Sequence, residues 1–140
     1  MTSENERIVR AFYDSTLPGH REGVMALQAP DIVYEVDEGM PVGGGRFVGI
    51  LDVMDRALAN FYGAFDVRLL PEEFISEGEH VVATGRLKGQ TREGAVPIDV
   101  PFIHIWTVRG NRLHRLRFST DTATLAKALA RARGAGAGGG

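Results

Sequence analysis

The sequence predicts an α+β domain in which a curved antiparallel sheet wraps around three N-terminal helices, with a short helix at the C-terminus. Three observations carry this. Helical patterns dominate before Phe65, and long strand patterns follow one another after it. The runs Val96–Arg109 and Arg112–Thr120 flank a Gly110-Asn111 turn and read as a hairpin. The 140 residues, with 44% apolar and 24% charged side chains, suit one core with room for a small cavity.

Each element has its own signal. Ser3 is placed to cap a first helix, with Glu6 three residues on as in a capping box. Ile8, Val9, Phe12, Tyr13 and Thr16 mark one face of that helix, and Pro18-Gly19 ends it. A short helix is expected from His20 to Gln28, then a strand from Ile32 to Asp37 and a Gly/Pro-rich loop from Glu38 to Gly45. Ile50, Val53, Met54, Ala57, Leu58, Phe61, Tyr62 and Phe65 repeat at helical spacing and predict the best-defined helix of the chain. Strands follow over Phe65–Ser76, bent at Pro71, and over His80–Lys88, ahead of the hairpin. Four or five strands are expected in all. Thr122–Ala132 predicts a closing helix with Leu125 and Leu129 inward. The domain is expected to span residues 1–132, and the Gly/Ala tail over 133–140 to be flexible.

Several function classes are disfavoured at once. A formal net charge of −2 provides no general basic field for nucleic acid. With no cysteine there is no thiol chemistry and no disulfide. No apolar run approaches a membrane span, and the polar N-terminus lacks a secretory pattern, so a cytoplasmic location is expected. His20, His80, His104 and His114 show no metal-ligand spacing, so no metal is expected. The run Gly43–Gly49 lacks the Lys-Ser/Thr pair of a phosphate loop and reads as turn.

The order of elements resembles the nuclear-transport-factor-two-like superfamily, and within it the SnoaL-like polyketide cyclases, relatives of ketosteroid isomerases. The resemblance rests on Phe12-Tyr13, the Gly43–Gly49 run, Pro101–Val108 with Gly110, and Arg117–Ala123, and it spans about residues 5–130. It implies a cone-shaped fold with an apolar pocket, no cofactor, and a homodimer formed through the outer sheet face. Laid on the ketosteroid isomerase pattern, the isomerase tyrosine falls on Phe12, its base on Val36, and its second Asp on or near His104. None of these roles keeps its residue type, so steroid isomerisation by that mechanism is not expected. A SnoaL-like enzyme uses a late Asp as acid/base, and the resemblance matches Asp121 to it.

The candidate site follows. His104 is expected to face the cone together with Phe102 and Trp106, by strand alternation. As a catalytic residue it would polarise a carbonyl; as a structural one it would be a buried, satisfied His. Asp121, partly enclosed by aromatic side chains, would move a proton; alternatively it only caps the last helix. Arg117 shares strand phase with Ser119 and Asp121 and would steady a ligand's anionic group. Tyr13, Tyr34, Phe61, Phe102 and Trp106 complete the expected substrate-binding wall. The reaction expected is cofactor-independent proton transfer on a small, mostly apolar carbonyl compound, of cyclase, isomerase or lyase type. Epoxide opening in the same cavity and non-catalytic ligand binding are the alternatives.

Overall fold

A computed structural model describes residues 3–15 and 21–138, with side chains through Gly134. The expected helix end at Pro18-Gly19, Thr16 and the His20 helix start lie outside the described residues.

Helix α1 (Glu4–Ser15) begins as its sequence predicts: the Ser3 hydroxyl accepts the Glu6 backbone N–H at 3.0 Å. The Glu6 carboxylate turns along the helix to Arg10 at 2.9 Å and does not reach back to close a box. Helix α2 (Arg21–Ala26) leads into β1 (Gln28–Val36), which starts earlier than the expected strand and leaves Asp37 beyond its end. The segment expected as loop and turn contains a short strand, β2 (Gly45–Val48), paired antiparallel with β1. Helix α3 (Ile50–Asp52), a π-helical turn (Val53–Leu58) and α4 (Ala59–Ala64) run on as one helix. In the π turn the Ala59 N–H reaches back to the Met54 carbonyl. The predicted apolar face survives this irregularity, with Val53, Met54, Ala57 and Phe61 buried.

Strands β3 (Phe65–Glu77), β4 (His80–Thr91), β5 (Pro97–Arg109) and β6 (Arg112–Thr120) form a meander. The β3–β4 ladder shifts between Pro71 and Glu73, where the sequence predicts a bend. Gly110 and Asn111 both have positive φ, 57° and 60°, as a tight primed turn requires. The sheet has six strands in the order β2-β1-β6-β5-β4-β3, against the four or five expected. It is also not wholly antiparallel, since β1 runs parallel to β6. A parallel pair needs a long crossover, and the helices and meander between β1 and β6 supply it. Helix α5 (Thr122–Gly138) continues through most of the tail that the sequence predicts to be flexible.

The helices cover the inner sheet face and enclose one apolar core built around Phe12, Phe65, Phe102 and Trp106. Among the described residues no helix is long and apolar enough to cross a membrane. Alternation on β5 places Phe102, His104 and Trp106 inward, each no more than 1% exposed, while Ile103 on the other face is 46% exposed.

One close approach tests the meander. A side chain added at Gly85 on β4 would strike the Leu70 carbonyl of β3 and lie 2.8 Å from Pro71 Cα, where backbone cannot yield cheaply. Gly85→Ala is expected to destabilise by about 1–3 kcal/mol, read as a lower urea midpoint. Gly63→Ala, at an exposed helical position with open space around it, is the control and should not lower that midpoint.

Candidate functional site

Inside the cone lies an apolar cavity of about 40 Å³. A single water needs about 10–15 Å³, so the space admits more than one water or a small organic group. Its walls come from every layer. Phe12 belongs to α1, Tyr34 and Val36 to β1, and Leu116 and Phe118 to β6. Met40 and Gly43 come from the loop, Ala57 and Leu58 from the π turn, and Phe61 and Tyr62 from α4. His104 is the one wall residue, among those described, that carries an imidazole. Phe12, Val36 and His104, the three positions aligned with the ketosteroid isomerase pattern, all lie on this cavity.

His104 is held from behind by a buried hydrogen-bond chain. Trp106 Nε1–H donates to the Tyr13 hydroxyl oxygen at 3.0 Å, and that oxygen lies 2.7 Å from His104 Nδ1. The Tyr13 and His104 rings stack at 5.7 Å with an interplanar angle of 14°. Phe102 and Phe118 flank the imidazole, each at 4.7 Å between ring centroids. His104 Nε2 is the one buried side-chain polar atom without a hydrogen-bond partner among the described residues. An orphaned buried polar atom on a cavity wall is where an incoming group gains most.

Burial sets the electrostatics. It lowers the His104 pKa from 6.5 to about 3, so the imidazole is neutral at pH 7. Burial likewise raises Tyr13 and Tyr34 well above the ordinary phenol range and Tyr62 to about 12, so all three stay protonated. The Tyr34 hydroxyl is committed to Gln28 Oε1 at 2.7 Å, and Gln28 in turn donates to the Val24 carbonyl at 3.1 Å. The Tyr62 hydroxyl has no hydrogen-bond partner among the described residues. Tyr62, read from its helix phase as core, is therefore a second polar group on the wall that the sequence analysis did not assign.

Other expected site residues are placed elsewhere. Phe102 and Trp106 share the inward face but sit behind His104, not on the cavity; Tyr13 is likewise behind it. Tyr34 and Phe61 do line it. Arg117 points to the outer face, because its neighbour Phe118 pairs with His104 and faces inward. It lines a separate polar groove of about 340 Å³ with Glu35, Asp37, Arg46 and Ser119. Ser119 donates to Asp37 Oδ1 at 3.1 Å. Asp121 is exposed just past the end of β6 and away from the cavity walls. Its carboxylate caps α5, accepting the Thr124 N–H at 3.0 Å and the Thr124 hydroxyl at 2.6 Å. Those bonds hold its pKa below the ordinary Asp value. His104 and Asp121 thus do not share a cavity. Among the described residues, no group of three or more His, Cys, Asp or Glu could hold a metal ion.

The depressed His104 pKa has a signed consequence. The unfolded chain takes up a proton near pH 6.5, and the folded one only near 3. The contribution to stability is therefore whole above pH 6.5 and is lost as pH falls from there toward 3. The loss approaches about 1.4 kcal/mol per pH unit within that window. His104→Phe should flatten the pH dependence of the urea-derived stability between pH 6.5 and 4.5, when each protein is compared with itself. An unchanged slope would show that His104 is not buried neutral.

Comparisons with known proteins agree with this architecture. The SnoaL-like domain family matches residues 9–116. None of the curated proteins matches the chain. An NTF2-like protein of unknown function from Burkholderia pseudomallei superimposes with a TM-score of 0.83 at 28% identity, covering 91% of this chain and 98% of its own. TerC, co-crystallised with polyporic acid, superimposes with a TM-score of 0.82 at 26% identity over the same shares of 91% and 98%. A putative SnoaL-like polyketide cyclase from Jannaschia sp. shares the fold at 20% identity, with a TM-score of 0.75 over 90% of this chain and 91% of its own. With the family matched over most of its length and the cone built from the same elements, this chain belongs to the SnoaL-like family.

Proposed function

We propose that the chain takes a small, mostly apolar carbonyl compound into the cone and acts on it without a cofactor, with His104 Nε2 at the carbonyl oxygen. The observation that carries this is the unpartnered Nε2 of a neutral imidazole on a mostly apolar wall. A hydrogen bond to a developing enolate is strong in such a water-poor place, and it needs no reorganisation. Proton transfer next to a carbonyl requires no electron carrier. No Asp or Glu lines the cavity among the described residues, so the proton leaving carbon passes to a water beside the substrate while its electron pair moves onto the carbonyl oxygen held at Nε2. The chemistry therefore suits a substrate whose carbon acid is already activated. The same absence weighs against epoxide opening, which needs a carboxylate to activate water. It favours, as the second reading, a binder that holds its ligand unchanged. The TerC neighbour crystallised with polyporic acid supports an organic ligand for either reading.

Two variants separate the roles. With a co-purified substrate identified by mass spectrometry, His104→Phe is expected to lower turnover by ~10²–10³-fold. Asp121→Ala is expected to lower stability by about 1 kcal/mol through loss of the cap, with turnover and affinity unchanged. If the Asp121 variant loses turnover while His104→Phe keeps it, the assignment is wrong. Ligand affinity lost in His104→Phe with no conversion by the wild type would establish the binder.

The outer sheet face supports a homodimer. By register Ile75, Val82 and Ile105 lie in one row across β3, β4 and β5, with Ile103 beside them. Ile75 and Ile103 are 56% and 46% exposed, an apolar stripe that a second copy would cover. Ile103→Asp should convert a dimer to a monomer in sedimentation equilibrium, with the fold retained by circular dichroism.

A further inference from the structure

Resting on that reading of the cavity, we propose that Tyr62 is a specificity-determining residue of the site. Its hydroxyl takes a second oxygen of the ligand, so the cavity selects small neutral compounds that carry a hydroxyl or carbonyl besides the carbonyl held at His104 Nε2. Three wall residues among those described carry a side-chain nitrogen or oxygen: Tyr34, Tyr62 and His104. Tyr34 spends its one proton on Gln28 Oε1 at 2.7 Å. The Gln28 amide cannot turn round, because its nitrogen donates to the Val24 carbonyl at 3.1 Å. Tyr34 therefore has no proton for a ligand oxygen. His104 Nε2 is without a partner, and among the described residues the Tyr62 hydroxyl is too. Two polar groups on one wall await the ligand, where the carbonyl alone would satisfy one.

The two groups sit at different depths. Phe12, Tyr34 and His104 are each 1% exposed, whereas Val36, Leu58, Tyr62 and Leu69 are only partly buried. A ligand seated at Nε2 thus has its outer end beside these four residues, and Tyr62 is the polar one among them. Tyr62 is anchored without use of its hydroxyl. Its ring packs edge-on against Phe61 at 5.1 Å between centroids, and its backbone carbonyl accepts from Arg92. Burial raises its pKa to about 12, so at pH 7 the hydroxyl can both donate and accept. A ligand hydroxyl or carbonyl finds a partner there, and a wholly apolar outer end leaves the phenol unpaired. An anionic group gains no counter-ion, since no described wall residue is cationic at pH 7.

The test is a ranking of ligands within each protein, read by chemical-shift titration at pH 7. Cyclohexanone is compared with 3-hydroxycyclohexanone and 4-hydroxycyclohexanone, which place the second oxygen at two separations from the carbonyl. At least one hydroxyketone should bind the wild type about threefold or more tightly than cyclohexanone. In Tyr62→Phe that margin should vanish or reverse, because the ligand hydroxyl loses its partner, while cyclohexanone affinity is retained. A margin unchanged in Tyr62→Phe overturns the proposal. Should that variant fail to fold, the wild-type ranking decides alone, and hydroxyketones that bind no more tightly than cyclohexanone overturn it. His104→Phe tests the reading beneath and should weaken all three ligands. Affinities unchanged in His104→Phe overturn the placement of the carbonyl at Nε2 and leave the Tyr62 margin standing. Binding of none overturns both.

Discussion

The buried chain from Trp106 through Tyr13 to His104 is the constraint on which the interior is organised. It joins α1 to β5 across an otherwise apolar core, and polar groups in such a core must find one another. Its geometry fixes how α1 is turned on the sheet. With Tyr13 held between the imidazole and the indole, Phe12 is carried against Trp106, at 4.7 Å between centroids, and onto the cavity wall. A helix rotated by one residue would strand the hydroxyl, the indole N–H and Nδ1 together, each loss of order 1–3 kcal/mol. The apolar packing of α1 alone, with Val9 and Phe12 buried, would not discriminate so sharply.

The second constraint is strand parity, and it explains much of what was and was not legible in the sequence. Phe102, His104 and Trp106 could be placed on one face because β5 is long, regular and alternating. The hairpin and the long amphipathic helix were legible for similar local reasons. Parity on β6 was legible too: Leu116 and Phe118 are apolar, so Arg117 and Ser119 must face outward. Grouping Arg117 and Ser119 with the cavity went against that pattern. Asp121 is a different case. It stands beyond the last residue of β6, where alternation has lapsed and the backbone is entering α5. There the helix's own unpaired N–H groups compete for the carboxylate, and Thr124 takes both oxygens.

What stayed hidden depends on long-range assembly. The contact between Tyr13 and His104 spans 91 positions and exists only once α1 is docked. Strand β2 is four residues long, and its pairing depends on β1. The parallel β1–β6 ladder joins segments at opposite ends of the chain, so no local pattern announces it. The π turn also lies outside what periodicity reveals, since it leaves the buried face in place while changing the backbone bonds beneath it. It brings Ala57 and Leu58 to the cavity, where Ala57 leaves space that a larger side chain would fill. Gly43 completes that corner. Its φ of 77° lets the loop lie against the helix, where an added Cβ would sit 3.3 Å from the Ala57 carbonyl.

A cavity made this way limits the chemistry it can support. Its walls carry neutral groups only at pH 7: an imidazole whose proton affinity burial has suppressed, and phenols whose protons burial has secured. A full charge on a bound ligand would meet dipoles but no counter-ion, and the penalty for leaving water would be only partly returned. A carbonyl oxygen that gains partial charge as a neighbouring C–H bond weakens is the better match. Its need is for one donor already in place, and Nε2 is fixed from behind by two further residues. The ketosteroid isomerase positions taken by Phe12 and Val36 are apolar here, so the pocket has a polar side chain, His104, at the third position and no carboxylate at the second. Selection among ligands then rests on shape and on hydrogen bonds to His104 and the Tyr62 hydroxyl, and any proton that leaves the ligand must pass to water, since no wall carboxylate is there to take it.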